Sequence, residues 1–291
     1  MKGSLLTQIE EQYPKLSKSH KRIADYILRN YEKAAFFTAA KLGEETGISV
    51  STVVRFATQM GFEGYPEFQD ALRETIKGKL TSTQRMAVAD QQSTDEELLE
   101  SVLAKDMEMI KETLRTVSKE DFRQAAEAIN HAKRIYLIGV RSAASLASFM
   151  YFYLNQIYDD VHLITTNSSS EMFEELFRIG PDDVCLVATF PRYSTSVYKM
   201  GVYAHEKQAK IIAITDNESA PVAAIADYLL IAKSSMASYL DSLVAPLSLI
   251  NALILAASGE RRDSALINFG ELERVWDRYN VYAKLEEEEN G

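Results

Sequence analysis

Five short apolar runs in the second half of the chain constrain the fold more than anything else in the sequence. They are Arg134–Val140, Val161–Thr165, Asp183–Thr189, Lys210–Thr215 and Tyr228–Ala232. Each is nearly continuous in Val, Ile, Leu and Ala rather than alternating apolar with polar. A strand with one wet face alternates; a strand buried on both faces does not. Stretches with helical spacing lie between the runs, at 142–158, 171–179, 194–207 and 219–226, and an apolar helix at 241–258 follows the last. Strands alternating with helices in this way predict a parallel sheet covered on both faces.

Ligands of such sheets bind outside the carboxyl ends of the strands. After the first run the chain reads Gly139-Val-Arg141-Ser142-Ala-Ala-Ser145, and after the second Thr165-Thr-Asn-Ser168. The third is followed by Thr189-Phe-Pro-Arg192-Tyr193-Ser194-Thr195, and the fourth by Thr215-Asp-Asn217. Three of these loops are rich in hydroxyls and lead into a helix N-terminus, whose free N–H groups favour an anion. Arg141 and Arg192 add guanidinium groups suited to phosphate or carboxylate. Taken singly, each Ser or Thr reads equally well as a helix cap. Together, Arg141, Ser142, Ser145, Ser168, Thr189, Arg192, Tyr193, Ser194 and Thr195 are candidate contacts for a small anionic ligand.

Other chemistries lack their motifs. There is no G-x-G-x-x-G after the first strand and no G-x-x-x-x-G-K-[ST]. His20, His131, His162 and His205 are scattered, and Cys185 stands alone in an apolar strand, so neither a metal site nor an internal disulfide is expected. Glu171 and Asp216 are the only acids in the loops that could serve as a general base, and His162 falls inside a strand. No catalytic residue, metal or cofactor is assigned.

The first 77 residues are organised differently. Thr38 to Gly61 reads as helix, tight turn and helix. Leu42 is the buried residue of the first helix, Gly47 marks the reversal, Ile48 plugs the corner and Ser49 caps the second helix. Val53, Phe56, Ala57 and Met60 then share one face, and Gly61 ends the helix. Ser51, Thr52, Arg55, Thr58 and Gln59 fall on the opposite face. This is the helix-turn-helix plan, whose second helix enters the major groove of DNA. An ordinary αα-corner with a polar surface is the competing reading. Upstream, a helix capped at Ser17 or Ser19 carries Lys18, His20, Lys21 and Arg22 at its N-terminal end, a candidate phosphate clamp. The candidate DNA contacts are therefore Lys18, Lys21, Arg22, Ser49, Ser51, Thr52, Arg55 and Gln59.

The net charge of −10 is unevenly spread: residues 1–80 carry +2 and the remainder −12. Phosphate-contacting surface is thus expected in the N-terminal part, with affinity depending on local placement. Polar residues 78–94 read as a linker. From a capping box at Thr94 and Glu97 a long helix is expected to about Val117, with Leu98, Val102, Met109, Ile110 and Leu114 as its stripe, and a second from Ser118 to about His131. The tail Glu286–Glu289 reads as a solvated end. The absence of a long apolar run, of an N-terminal apolar segment and of paired cysteines leads to the expectation of a cytoplasmic protein without membrane contact.

With both halves in view the chain resembles the RpiR family of bacterial transcriptional regulators. The resemblance rests on Leu16-Ser, Arg22-Ile-Ala-Asp-Tyr-Ile-Leu, Leu42-Gly, Gly47-Ile-Ser, Thr52-Val-Val-Arg55-Phe56 and Gly61-Phe-Glu-Gly64-Tyr, and on the sheet-forming half, which looks like a sugar isomerase (SIS) domain. It implies an all-helical helix-turn-helix head (1–77), a linker (78–94) and a five-stranded parallel α/β sandwich with leading helices (95–291, sheet core about 133–258). It further implies regulation of carbohydrate-catabolic genes, a palindromic double-stranded DNA operator, a phosphosugar or related effector at the loops after strands one and three, and a homo-oligomer, dimer or tetramer. The helix at 241–258 would join the dimer core. SIS phosphate loops commonly read Ser-x-Ser-Gly-x-Thr after the third strand, whereas here Pro191 and Arg192 replace Ser-Gly. That leaves a phosphosugar, a sugar acid or no ligand open. An active phosphosugar isomerase with an appended head is the alternative, with Glu171 as its base.

Overall fold

The computed structural model describes residues 5–76, 81, 83, 86, 94–234 and 240–282. The chain divides into two compact units, the first reaching Val102 and the second starting at Leu103. The 78–94 stretch read as a linker lies almost wholly outside the described residues, and the Glu286–Glu289 tail entirely so.

The first unit is helical: α1 (Leu5–Gln12), α2 (Lys18–Arg29), the single turn α3 (Tyr31–Ala34), α4 (Ala39–Thr46), α5 (Val50–Gln59) and α6 (Tyr65–Ile76). Its core gathers Ile9, Ile23, Ile27, Leu42, Val53, Phe56, Met60, Phe68, Leu72 and Ile76, all essentially without solvent exposure. Phe68 takes Phe56 and Phe62 edge-on, with centroids at 5.7 and 5.5 Å, the geometry that aligns ring edges with ring faces. Two helix ends are closed by glycines in the left-handed region. At α4 the Ile48 N–H reaches the Gly43 carbonyl (2.9 Å) and the Gly47 N–H that of Glu44 (3.2 Å), with Gly47 at φ +62°. At α5 the Phe62 N–H reaches Ala57 (3.2 Å) and the Gly61 N–H reaches Thr58 (3.0 Å), with Gly61 at φ +94°. Both are the paired bonds that satisfy the last carbonyls of a helix.

Helix α7 (Asp95–Thr116) begins with the expected capping box: the Thr94 N–H donates to Glu97 Oε2 (2.9 Å) and the Glu97 N–H to Thr94 Oγ1 (3.2 Å). The second unit continues with α8 (Lys119–His131), β1 (Ile135–Ile138), α9 (Ala144–Leu154), β2 (Val161–Ile164), α10 (Ser169–Leu176), β3 (Val184–Ala188), α11 (Thr195–Glu206), β4 (Lys210–Thr215), β5 (Tyr228–Ile231), α12 (Val244–Ser258) and α13 (Arg262–Arg278). The five strands form one parallel sheet in the order β2-β1-β3-β4-β5. Successive strand residues go to opposite faces. Ile135, Leu137, Leu186, Ile212 and Ile214 meet α8, α9 and α12 on one face. Tyr136, Ile138, Cys185, Val187 and Ile211 meet α10 and α11 on the other.

The short helix expected at 219–226 is a 3-10 helix over Pro221–Ile225, and two larger differences concern α7 and α13. The stripe of α7 is only partly covered: Val102, Met109 and Ile110 are half-buried, Leu98 and Leu114 are exposed, and the buried residue of this helix is the polar Thr113. The reason is a backbone need. β5 is an edge strand, and Thr113 Oγ1 takes the Lys233 N–H just beyond it (2.9 Å), while Asp121 Oδ2 takes the Leu229 N–H (3.0 Å). Side chains from the leading helices thus occupy donors that an open edge would present to another strand. Second, α13 was not anticipated. Its Leu266, Ile267 and Val275 are exposed, so it has no sharp apolar face to reveal it.

Candidate nucleic-acid interface and effector rim

On α5 the buried side is Val53, Phe56 and Ala57, which turns Ser51, Arg55, Thr58 and Gln59 outward. Ser49 occupies the N-cap position but does not use its hydroxyl as a cap. Its oxygen lies 2.9 Å from Thr52 Oγ1 and 3.2 Å from Ser51 Oγ. Arg55 Nη2 donates to the same Thr52 hydroxyl at 3.2 Å. Ser49, Ser51, Thr52 and Arg55 are thus one hydrogen-bonded cluster at the N-terminal half of the helix, where recognition helices reach base edges.

α2 braces this surface. Its cap is Ser17, whose hydroxyl oxygen accepts the His20 N–H at 3.3 Å. His20 Nδ1 is 2.6 Å from Gln59 Oε1, and the His20 ring packs edge-on against Phe56. Gln59 is therefore held from behind at the end of α5. Arg22 is held too: its Nη2 donates to the Thr46 carbonyl at 2.6 Å, across the turn that joins α4 to α5. A side chain at Gly47 would meet that same nitrogen at 2.9 Å. Lys18 is exposed, and Lys21 sits over the Tyr13 ring at 5.4 Å. Of the three cations in the candidate clamp, Arg22 thus already has a structural task and Lys21 a ring contact, while Lys18 is exposed. The outward surface of α5 also carries Val50 and Val54. Reading valine as core hides them, but at 100° per residue both point away from Phe56.

In the second unit the strand order reverses between β1 and β3, since β2 lies to one side of β1 and β4 and β5 to the other side of β3. The crevice at such a reversal is where open α/β sheets bind ligands. It is flanked by the loops that carry Arg141 and Arg192. The first loop hugs its own helix: a side chain at Gly139 would fall 2.5 Å from the Ala143 carbonyl, and Arg141 adopts φ +57°. Arg141 and Ser142 are exposed, and the Ser145 hydroxyl donates to the Ser142 carbonyl at 2.7 Å. In the third loop Thr189 is buried, Arg192 and Thr195 are exposed, and Ser194 caps α11 by accepting the Val197 N–H at 3.5 Å. Tyr193 is anchored to the β4 loop: its hydroxyl donates to Asp216 Oδ1 (2.7 Å) and accepts from Asn217 Nδ2 (2.8 Å).

The second loop joins the rim through Ser169, whose hydroxyl lies 3.4 Å from that of Ser196. Ser168 pairs with Ser170 at 3.1 Å, and Glu171 Oε2 accepts from the Thr166 hydroxyl at 2.6 Å. The serine-rich loops are thus partly consumed by their own hydrogen bonds, whereas among the described residues neither Arg141 nor Arg192 has a hydrogen-bond or ion-pair partner. Cys185 lies in the sheet interior, where burial pushes its thiol pKa up, so it is an inert core residue. Among the described residues no helix is long and apolar enough to cross a membrane.

Residues 3–79 match the helix-turn-helix domain of the rpiR family, and residues 128–256 match the SIS domain. An HTH-type transcriptional regulator of Haemophilus influenzae is 25% identical over 234 residues, covering 79% of this chain and 80% of its own. The sugar isomerase domain of an RpiR transcription factor from Sphaerobacter thermophilus superposes with a TM-score of 0.58 at 25% identity, covering 61% of this chain and 98% of that one. The NanR protein of Vibrio vulnificus, solved with ManNAc-6P, shares the fold along 96% of this chain and 100% of its own, with a TM-score of 0.58 at 19% identity. The HexR protein of Escherichia coli, 24% identical over 221 residues covering 73% of this chain and 72% of its own, is likewise an HTH-type transcriptional regulator.

Proposed function

Starting from a chain that belongs to the RpiR family of helix-turn-helix regulators with a SIS domain, we propose that it controls carbohydrate-catabolic genes in response to a small anionic sugar. The effector is a phosphosugar or a sugar acid held at the β1/β3 crevice. The observation that carries this reading is the pair Arg141 and Arg192, two exposed guanidinium groups on the loops flanking the strand reversal that have no hydrogen-bond or ion-pair partner among the described residues. A guanidinium matches carboxylate and phosphate oxygens with two parallel hydrogen bonds. Ser142, Ser145, Thr189, Ser194 and Thr195 lie on or at the ends of the same loops, Ser168 lies on the loop after β2, and Tyr193 positions the third loop by its tie to Asp216. The phosphosugar in the NanR structure supports the phosphate form of the ligand.

On DNA, Arg55 with Ser49, Ser51 and Thr52 reads base edges, Gln59 extends the reading surface, and Lys18, Lys21 and the spare nitrogens of Arg22 neutralise phosphates. A dimer or tetramer places two such helices on the half-sites of a palindrome. The effector changes operator affinity by binding one arrangement of the oligomer more tightly than the other.

The test is a thermal-shift panel of phosphosugars and sugar acids, followed by fluorescence anisotropy on the operator with each hit. A true effector at ~100-fold its Kd adds about 2.7 kcal/mol of stability and alters DNA affinity in the same concentration range. A panel in which no compound does both would overturn the effector assignment and leave a ligand-independent regulator.

A further inference from the structure

The outward surface of α5 carries two parallel tracks. Ser51, Arg55 and Gln59 follow one another at four-residue intervals and form the polar one. Val50, Val54 and Thr58 form the other, one position behind. Val50 is 47% exposed and Val54 38%, and within residues 5–76 these are the only exposed large apolar side chains described. Within that span every other large aliphatic side chain described is buried or half-buried, so between residues 5 and 76 the exposure is confined to α5. The Thr58 hydroxyl donates back to the Val54 carbonyl at 3.3 Å, which removes its proton from the second track. The polar track is tied down as well, Arg55 by Thr52 and Gln59 by His20.

An apolar ridge on a major-groove helix has one complementary group. Of the four bases only thymine shows an apolar handle there, its 5-methyl; the rest of the groove floor is donors and acceptors. Val50 and Val54 are about 6 Å apart along the helix axis, between one and two base-pair rises. We propose that Val50 and Val54 are specificity-determining residues that read thymine 5-methyl groups, while Arg55 and its hydroxyl neighbours read the hydrogen-bonding edges. Each half-site then contains at least one thymine recognised by its methyl alone. The inference rests on α5 being the reading helix and adds which chemical feature of the base it reads.

The experiment uses the full-length chain. Preferred duplexes are selected from a random library, and each thymine of the selected half-site is replaced singly by deoxyuridine. That substitution deletes one methyl and leaves every hydrogen-bonding group in place. Anisotropy at one fixed salt concentration then gives the affinity ratio at each position. At one or more positions the uracil duplex should bind about four-fold more weakly, the effect of losing one buried methyl. In Val54→Ala or Val50→Ala that penalty should vanish, whereas Arg55→Ala binds more weakly overall and retains it. Both valines are exposed, and alanine is the better helix former, so the variants fold; their thermal melts verify this. A neutral uracil substitution at every half-site thymine of the wild-type protein overturns the proposal, as does a full uracil penalty in both valine variants. Failure to enrich any sequence would overturn it together with the DNA-reading assignment, an outcome distinct from enriched sites that ignore the methyl.

Discussion

The main-chain N–H of Lys233 donates to the hydroxyl of Thr113 across a separation of 2.9 Å, joining the end of the edge strand β5 to the long helix α7. Thr113 is 5% exposed, in a helix whose leucines are largely in solvent. Nearby, the Ser242 hydroxyl donates to Asp106 Oδ1 at 2.6 Å, so α7 is fastened on both sides of the segment that follows β5. Replacing Thr113 by valine keeps the volume and removes the acceptor. The stranded N–H should cost about 1–3 kcal/mol, while Thr113→Ser should be close to wild type. Urea unfolding monitored on the whole chain compares the two. Equal midpoints for the valine and serine variants would show that the hydroxyl contributes nothing.

Gly47 is required for two independent reasons. Its φ of +62° is a conformation that costs an L-residue about 1–2 kcal/mol, and its missing side chain leaves room for the Arg22 guanidinium on the Thr46 carbonyl. Gly47→Ala should therefore destabilise the helical unit by more than the backbone term alone, because the added methyl sits 2.9 Å from Arg22 Nη2. In an Arg22→Ala background the same substitution should cost only the backbone term. A double-mutant cycle of thermal melts measures the difference, and strict additivity would remove the steric part of the argument.

These features divide by how local their causes are. Gly47, Gly61, the capping box at Thr94 and the five strands were legible because each depends on a few neighbouring residues or on a short period. The strand order was not, because nothing in β1 or β3 says that β2 and β4 lie on opposite sides; it follows from how the crossovers pack. The burial of Thr113 was illegible for the same reason, since its partner is 120 residues away. In the candidate site the two arginines were read from the loops, but the distinction between hydroxyls that are committed and groups that remain available needed coordinates. Tyr193 is a candidate ligand contact by sequence, and its hydroxyl is engaged by Asp216 and Asn217.

That engagement separates the expected effects of substitutions at the rim. On the proposed effector site, Arg141→Ala and Arg192→Ala should each delete a charge-assisted contact, with a loss of about 1.5–3 kcal/mol in effector binding, roughly ten-fold or more. Among the described residues neither side chain has a hydrogen-bond or ion-pair partner, so the unliganded melting temperature should not move. Tyr193→Phe removes the tie to the β4 loop and should lower both effector affinity and the unliganded stability. Calorimetric titration with the hit from the ligand panel, paired with melts of the unliganded variants, distinguishes the two patterns. Unchanged affinity in both arginine variants would place the ligand elsewhere.

Alkaline pH offers a test of the helical unit through Tyr65. Its hydroxyl donates to the Phe37 carbonyl at 2.6 Å, and burial pushes its pKa up to about 12, against about 10 for an exposed phenol. The folded state thus holds the phenolic proton more tightly than the unfolded state. Its contribution is complete below pH 10 and is lost as the pH rises through 12, a swing of about 2–3 kcal/mol. Tyr65→Phe has no proton to lose. At neutral pH it should be destabilised by only about 0.5–1.5 kcal/mol, because Gln69 Nε2 also donates to the Phe37 carbonyl at 2.7 Å and keeps it satisfied. Between pH 10 and 12 the wild-type stability should fall toward that of the variant and then below it. Chemical denaturation of both proteins across this range reads the crossing directly. Parallel pH profiles would mean that Tyr65 ionises as readily folded as unfolded.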